Sequence, residues 1–383
     1  MISYTILSDK GTVILMKKVM CVFGTRPEAI KMSLLVFALK KYSDIETVTC
    51  VSGQHRELLT NTLASFGLHP EYNLNIMKEH QDLFDITINI LKEIKAVLEK
   101  EKPDIVLVHG DTSTAFITSL ACFYLRIPVG HVEAGLRTYD LHAPFPEEMN
   151  RQGIDIIADY YYAPTEIARQ NLISEGKKSD NIIITGNTAI DVLGTTVSDS
   201  FTHPILEWAG KDTRLIVLTV HRRENLGGPM REIFEGIRML AEAYPDVRIV
   251  YPMHPNVRAV AQECLGECSQ VYLSDPLDVI PFHNIMSRSY FILTDSGGIQ
   301  EEASFLEKPV LVLRDATERP ENLKYGVSKL VGTDKNSLLR ESGKLLDDPE
   351  AYKAMTGHPH IYGDGHASER IAAHIHDVFY GKE

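Results

Sequence analysis

The sequence predicts an α/β protein made of two doubly wound domains that face each other across a cleft. Three observations predict it. Short apolar runs of strand length alternate with amphipathic stretches of helix length along the chain. The alternation pauses near 186–200 and restarts at Arg214, giving two successive series. Polar segments rich in glycine, histidine and charge follow several of the apolar runs, at the strand ends where open parallel sheets bind ligands.

In the first series, 19–23 reads as a buried strand bounded by Gly24. Pro27 suits the first position of a helix over 27–41, with Ile30, Leu34, Leu35, Ala38 and Leu39 on its apolar face. A strand over 46–52 and a helix to about 66 follow, then an amphipathic helix over 86–100. The run 103–109 is a strand that ends in Gly110, Asp111, Thr112, Ser113 and Thr114 before a helix to 125, and Thr112 to Thr114 are good capping residues. After the strand 127–132, the glycine and prolines of 131–151 predict a long polar loop, neither helix nor strand. A helix over 151–159, a strand over 160–163, a helix over 165–175 and a strand over 182–185 complete this half. Gly186, Asn187 and Thr188 then turn into a helix over 189–197.

The second series has strands at 214–220, 247–253, 290–294 and 310–313, with helices at 230–244 and through 305. The expected organisation is an extension over 1–15, a first domain over 16–188 and a second over 189–365. A closing helix within 366–383 is expected to pack back on the first domain.

Composition narrows the function. Hydrophobic residues make up 44% and charged residues 24%, as in soluble globular proteins, and no run has the ~18 apolar residues of a membrane span. A formal charge of −13 disfavours nucleic acid as a partner. The five cysteines are odd in number and lie mostly in apolar patterns, which fits a reducing cytoplasm rather than a disulfide framework. Cys264 and Cys268 lack the further ligands a zinc site needs.

The candidate chemistry sits at strand ends. Arg26 and Lys31 are cations in the first turns of a helix, where they oppose the helix dipole, so an anion is expected between them. The loop 131–151 carries four carboxylates, two histidines and two arginines, a combination better suited to a lined pocket than to a solvated loop. Ser296, Gly297 and Gly298 precede a helix, and small residues there let backbone N–H groups approach a phosphate. Glu301 and Glu302 are expected in the first turn of that helix, in reach of ribose hydroxyls. No G-x-G-x-x-G follows the first strand and no Walker motif is present, which disfavours a nicotinamide enzyme and a P-loop ATPase.

Taken together, Gly24-Thr-Arg26-Pro27-Glu28-Ala-Ile-Lys31, Gln54-His55-Arg56, His109-Gly-Asp111-Thr, Gly130-His131-Val-Glu133-Ala-Gly-Leu-Arg137-Thr and Pro146-Glu147-Glu148 resemble the non-hydrolysing UDP-N-acetylglucosamine 2-epimerases. So do His221-Arg222-Arg223-Glu224-Asn225, Asp295-Ser296-Gly297-Gly298-Ile-Gln-Glu301-Glu302 and Glu318-Arg-Pro-Glu321, in the family's order and spacing. The resemblance implies two Rossmann-like domains in the glycosyltransferase-B arrangement, the second binding UDP. It further implies a cytoplasmic homodimer that interconverts UDP-GlcNAc and UDP-ManNAc with no metal and no redox cofactor. Carried over residue by residue, it makes Asp111, Glu133 and Glu147 acid–base groups. It places Arg26, His221, Ser296, Gly297 and Gly298 on the diphosphate and Glu302 on the ribose. Lys31 and Arg151 would shape the sugar pocket, and Phe282 and Arg314 would also contact substrate.

Bacterial members bind substrate again as an effector, which on matching positions would use Gln54, Glu57, His80, Glu147, Arg222 and His254. Glu57 and His80 stand where the family also carries glutamine and arginine. Other activities compatible with this pattern are a transferase of the same fold, a hydrolysing relative that releases ManNAc, and an epimerase of a related UDP-2-acetamido sugar.

Overall fold

The structure is a computed structural model and describes residues 5–7, 13–53, 62–77, 81–317, 319–358 and 360–381. The chain divides into two compact units, Met1–Val192 with Gly365–Glu383, and Leu193–Asp364.

In the first unit, β1 (Thr5–Leu7) and β2 (Val13–Leu15) form an antiparallel pair. The main sheet contains β3 (Lys17–Phe23), β4 (Ile45–Val51), β5 (Tyr72–Asn73), β6 (Ile105–His109), β7 (Val129–Val132), β8 (Tyr160–Ala163) and β9 (Ile182–Ile184). Its order is β5-β4-β3-β6-β7-β8-β9, and every pairing is parallel. Parallel strands are covered on both faces, which is why they read as unbroken apolar runs. Met20, Val22, Val106 and Val108 join one buried cluster, while Val19, Cys21, Phe23 and Leu107 join the cluster on the other face.

The helix Arg26–Lys40 buries Ala29, Met32, Leu35, Val36 and Leu39. The expected face is thus rotated: Ile30 and Leu34 are only half-buried, because a helix crossing a parallel sheet turns its widest apolar stripe inward. The helix Ala367–Tyr380 covers the same side through Ile371, Ala372 and Ile375. Asp191 caps its start by accepting from the backbone N–H groups of Ala367 (3.0 Å) and Ser368 (2.6 Å).

The second unit holds β10 (Arg214–Thr219), β11 (Val247–Pro252), β12 (Val271–Ser274), β13 (Phe291–Thr294), β14 (Val310–Val312) and β15 (Ser328–Leu330). The order is β12-β11-β10-β13-β14-β15, again all parallel. Strand order reverses between β3 and β6 in one unit and between β10 and β13 in the other. Neighbouring crossovers leave in opposite directions at such a point and open a crevice at the carboxyl ends of the strands. The segments after β3 and β6, and after β10 and β13, carry the candidate functional residues. Among the described residues, no helix is long and apolar enough to cross a membrane.

Candidate active site

At the switch point of the first unit, Thr25 caps the helix Arg26–Lys40 in a capping box with Glu28. Oε2 of Glu28 accepts from the N–H groups of Gly24 (3.0 Å) and Thr25 (2.8 Å), and Oε1 accepts from the Thr112 hydroxyl (2.9 Å). One buried carboxylate therefore ties the segment after β3 to the segment after β6. Burial pushes its pKa up to about 7, against the pull of these hydrogen bonds.

Glu133 follows β7 with φ +67°, a left-handed backbone that is costly for a residue with a side chain. Its N–H is held by the Tyr162 carbonyl (3.1 Å). Oε2 receives the Lys31 ammonium and the Asn187 amide (2.9 Å), and Nε2 of His109 lies 3.6 Å away. Burial pushes the His109 ring down to about 3, with Glu133 opposing, so the ring is neutral. Lys31 thus rests on a carboxylate. Arg26 is the first residue of its helix and is half-buried.

Asp111 is reached from the other side. Arg151 binds the carboxylates of both Asp111 and Glu148, and the Asn150 amide donates to the Asp111 carbonyl (2.9 Å). All three partners stand on the helix Glu147–Ile157. The helix expected from 151 therefore begins four residues earlier, inside the expected loop. Pro146 occupies the position before the first helical residue, where a missing N–H costs nothing, so the proline marks the start of the helix. Glu147 opens this helix and is half-buried, and its Oε2 is buried without a hydrogen-bond partner among the described residues. It does not pair with Arg151, whose guanidinium is engaged by Asp111 and Glu148.

In the second unit the organising group is Asp295, which is fully buried at the end of β13. Its Oδ2 accepts from the N–H groups of His221 (2.9 Å) and Arg222 (2.8 Å) and from the Asn225 amide (3.0 Å), and so fixes the segment after β10. The His221 ring stacks on His254 with centroids 5.9 Å apart. It titrates below its usual value, chiefly through withdrawal from water, with Asp295 pulling the other way.

Ser296 precedes the helix Gly297–Phe305, which has no side-chain cap and no acidic residue in its first turn. A β-carbon at Gly298 would meet nothing within 4 Å. An uncapped helix start with open space beside it suits an anion. Because this helix begins at Gly297, Glu301 and Glu302 fall in its second turn, not the first. Glu301 is buried against Arg319, while Glu302 lies 3.7 Å from His283, whose other nitrogen meets the Thr196 hydroxyl at 2.7 Å. Burial pushes His283 down to about 4. Arg314 donates to Glu224 (2.6 Å), and Phe282 is a half-buried residue of the helix Val279–Ser287. Gln54, Glu57, His80 and Glu318 lie outside the described residues.

Sequence reasoning missed Asn187, His109 and Arg319 as partners of the predicted carboxylates. Asn187 left a signal as a polar residue in a Gly-Asn-Thr turn after a strand, and His109 as the last residue of a strand run that leads into Gly110 and Asp111.

The profile of the family described as UDP-N-acetylglucosamine 2-epimerase matches residues 37–376. The UDP-N-acetylglucosamine 2-epimerase of Bacillus subtilis (strain 168) is 53% identical over 360 residues, covering 94% of each chain. The Staphylococcus aureus MnaA structure solved with UDP superposes with a TM-score of 0.90 at 50% identity, over 96% of this chain and 98% of that one. The UDP-GlcNAc 2-epimerase of Neisseria meningitidis bound to UDP-GlcNAc gives a TM-score of 0.89 at 45% identity, over 94% of this chain and 100% of that one. With two parallel-sheet units of this order and this extent of identity, the chain belongs to the UDP-N-acetylglucosamine 2-epimerase family.

Proposed function

We propose that the protein interconverts UDP-GlcNAc and UDP-ManNAc at carbon 2 and supplies ManNAc units for surface polysaccharide. The observation that carries this reading is the pair of carboxylates at adjacent strand ends, Asp111 after β6 and Glu133 after β7, each held by its own cation. Carbon 2 bears no carbonyl, so its proton cannot simply be removed and returned. Anti elimination solves this. A carboxylate takes the carbon 2 proton, a double bond forms between carbons 1 and 2, and the bond from carbon 1 to the diphosphate oxygen breaks. The products are UDP and 2-acetamidoglucal. In the return step the diphosphate oxygen rejoins carbon 1, while an acid delivers a proton to the opposite face of carbon 2.

Asp111, Glu133 and Glu147 are assigned the proton transfers. Lys31 and Arg151 keep the first two carboxylates in place and shape the sugar pocket. Arg26, His221 and the helix start at Ser296, Gly297 and Gly298 take the diphosphate, where positive potential stabilises the leaving group. Glu302 takes the ribose, and Phe282 and Arg314 make further substrate contacts.

Proton NMR with UDP-GlcNAc in D2O, without added cofactor or acceptor, tests the proposal. UDP-ManNAc carrying deuterium at carbon 2 is the expected product. Free UDP with ManNAc, or an unchanged spectrum from both sugar nucleotides, would overturn it.

A further inference from the structure

A buried line of charge runs beneath Asp111. Arg137 donates to both oxygens of Glu175 at 2.7 Å and to Oδ2 of Asp155 at 2.7 Å. Oδ1 of Asp155 meets Nδ1 of His131 at 2.6 Å, and Nε2 of His131 meets the Gly110 carbonyl at 2.7 Å. The side chains of His131 and Asp155 are 0% and 1% exposed. None of these four side chains is needed for the proton transfers assigned above, yet those of His131, Asp155 and Arg137 occupy interior space where an unmatched charge is costly.

The partners of His131 settle its protons. A backbone carbonyl can only accept, so Nε2 carries a hydrogen. Asp155 is a carboxylate: its Oδ2 accepts from the Arg137 guanidinium (2.7 Å) and from the Gly135 N–H (3.3 Å), and Arg137 matches its charge. It too can only accept, so Nδ1 carries a hydrogen as well. The ring is a buried cation between two acceptors. It stands on β7 two residues before Glu133, and the carbonyl it grips belongs to the residue before Asp111. Gly110 has φ +63° and donates its N–H to the Val132 carbonyl (2.9 Å), so both its polar groups are held by β7.

We propose that His131 is a positioning residue for the reaction: its doubly protonated ring, held by Asp155 and Arg137, fixes the Gly110 peptide and thereby aims the Asp111 carboxylate. This rests on the role given to Asp111 under the proposed function. The geometry links both carboxylates to one strand, since Glu133 directly follows β7 and β7 holds Asp111 through His131. A loosened Gly110 would let Asp111 drift while Glu133 stays, and a misplacement near 1 Å can cost about 100-fold in rate.

The test uses the full-length protein labelled with 15N-histidine, together with Asp155→Asn. Asparagine at 155 accepts from Arg137 and donates to Nδ1, so the hydrogen-bonded line survives while the cation is lost. In the wild type, one histidine with hydrogens on both ring nitrogens is expected, missing in His131→Gln. In Asp155→Asn the expected result is a single ring hydrogen and a kcat lowered about 10- to 100-fold, with KM and UDP affinity within about threefold. A wild-type ring with one hydrogen, or a folded Asp155→Asn with unchanged kcat, would overturn the proposal. If the wild type does not turn over UDP-GlcNAc, it is the proposed function that fails. The ring signal then decides the state of His131 by itself, as it does if Asp155→Asn does not fold.

Discussion

Lys31 and Glu133 form an ion pair with side chains only 15% and 9% exposed, on a glutamate whose backbone is left-handed. The arrangement keeps the Glu133 carboxylate pointed, at the cost of desolvating two charges.

Glu133→Gln should therefore lower kcat about 100- to 10,000-fold, because it removes an acid–base group while keeping its shape. UDP affinity, read by calorimetric titration, should change little. Substantial residual turnover would remove Glu133 from the proton transfers.

Asp111→Asn should have an effect of similar size, about 100-fold or more in kcat. UDP binding should survive, since the candidate diphosphate contacts at Ser296, Gly297 and Gly298 belong to the second unit. A loss confined to KM would argue for a binding role instead.

Asp295→Ala should weaken UDP binding while leaving the first unit untouched. It orphans three donors from His221, Arg222 and Asn225, each of which costs about 1–3 kcal/mol when left buried and unpaired. The freed segment after β10 should lose its hold on the nucleotide, seen as a raised Kd for UDP and a lower melting temperature. Unchanged UDP affinity would separate His221 from the diphosphate.

Thermal stability should show a plateau between about pH 4.5 and 6.5 from the opposing titrations of Glu28 and His109. Glu28 has a folded pKa of about 7, above its ordinary 4.5, so its contribution is complete below 4.5 and is lost as pH rises through 7. The amount is on the order of 3 kcal/mol. His109 is depressed from 6.5 to about 3, so its contribution is complete above 6.5 and is lost as pH falls toward 3. Melting temperatures measured across this range should fall at both ends. Glu28→Gln should flatten the alkaline side, and an unchanged slope there would count against the buried carboxylate as its cause.

Much of the fold was legible because parallel strands buried on both faces leave unbroken apolar runs, such as the VMCVF of β3 and the IVLVH of β6. The site was legible where strand ends meet polar residues, and β3, β6 and β7 do bring Lys31, His109 and Glu133 together. What stayed hidden is pairing across long separations. Nothing local says that Asn187 reaches Glu133, that Arg319 covers Glu301, or that His131 grips Gly110. The helix beginning at Glu147 was obscured by Pro144 and Pro146, whose local meaning is a break although the second of them precedes a helix.

The cap that Asp191 places on the helix Ala367–Tyr380 joins positions 176 residues apart. On the ribosome, all of Leu193–Asp364 must be made before that helix can reach its seat. Until then the sheet side containing Phe23, Leu107 and Tyr162 lacks the cover of Ile371 and Ile375. The nascent first unit is therefore sticky for the time needed to synthesise the whole of the second, and that interval is its period of greatest demand for chaperones.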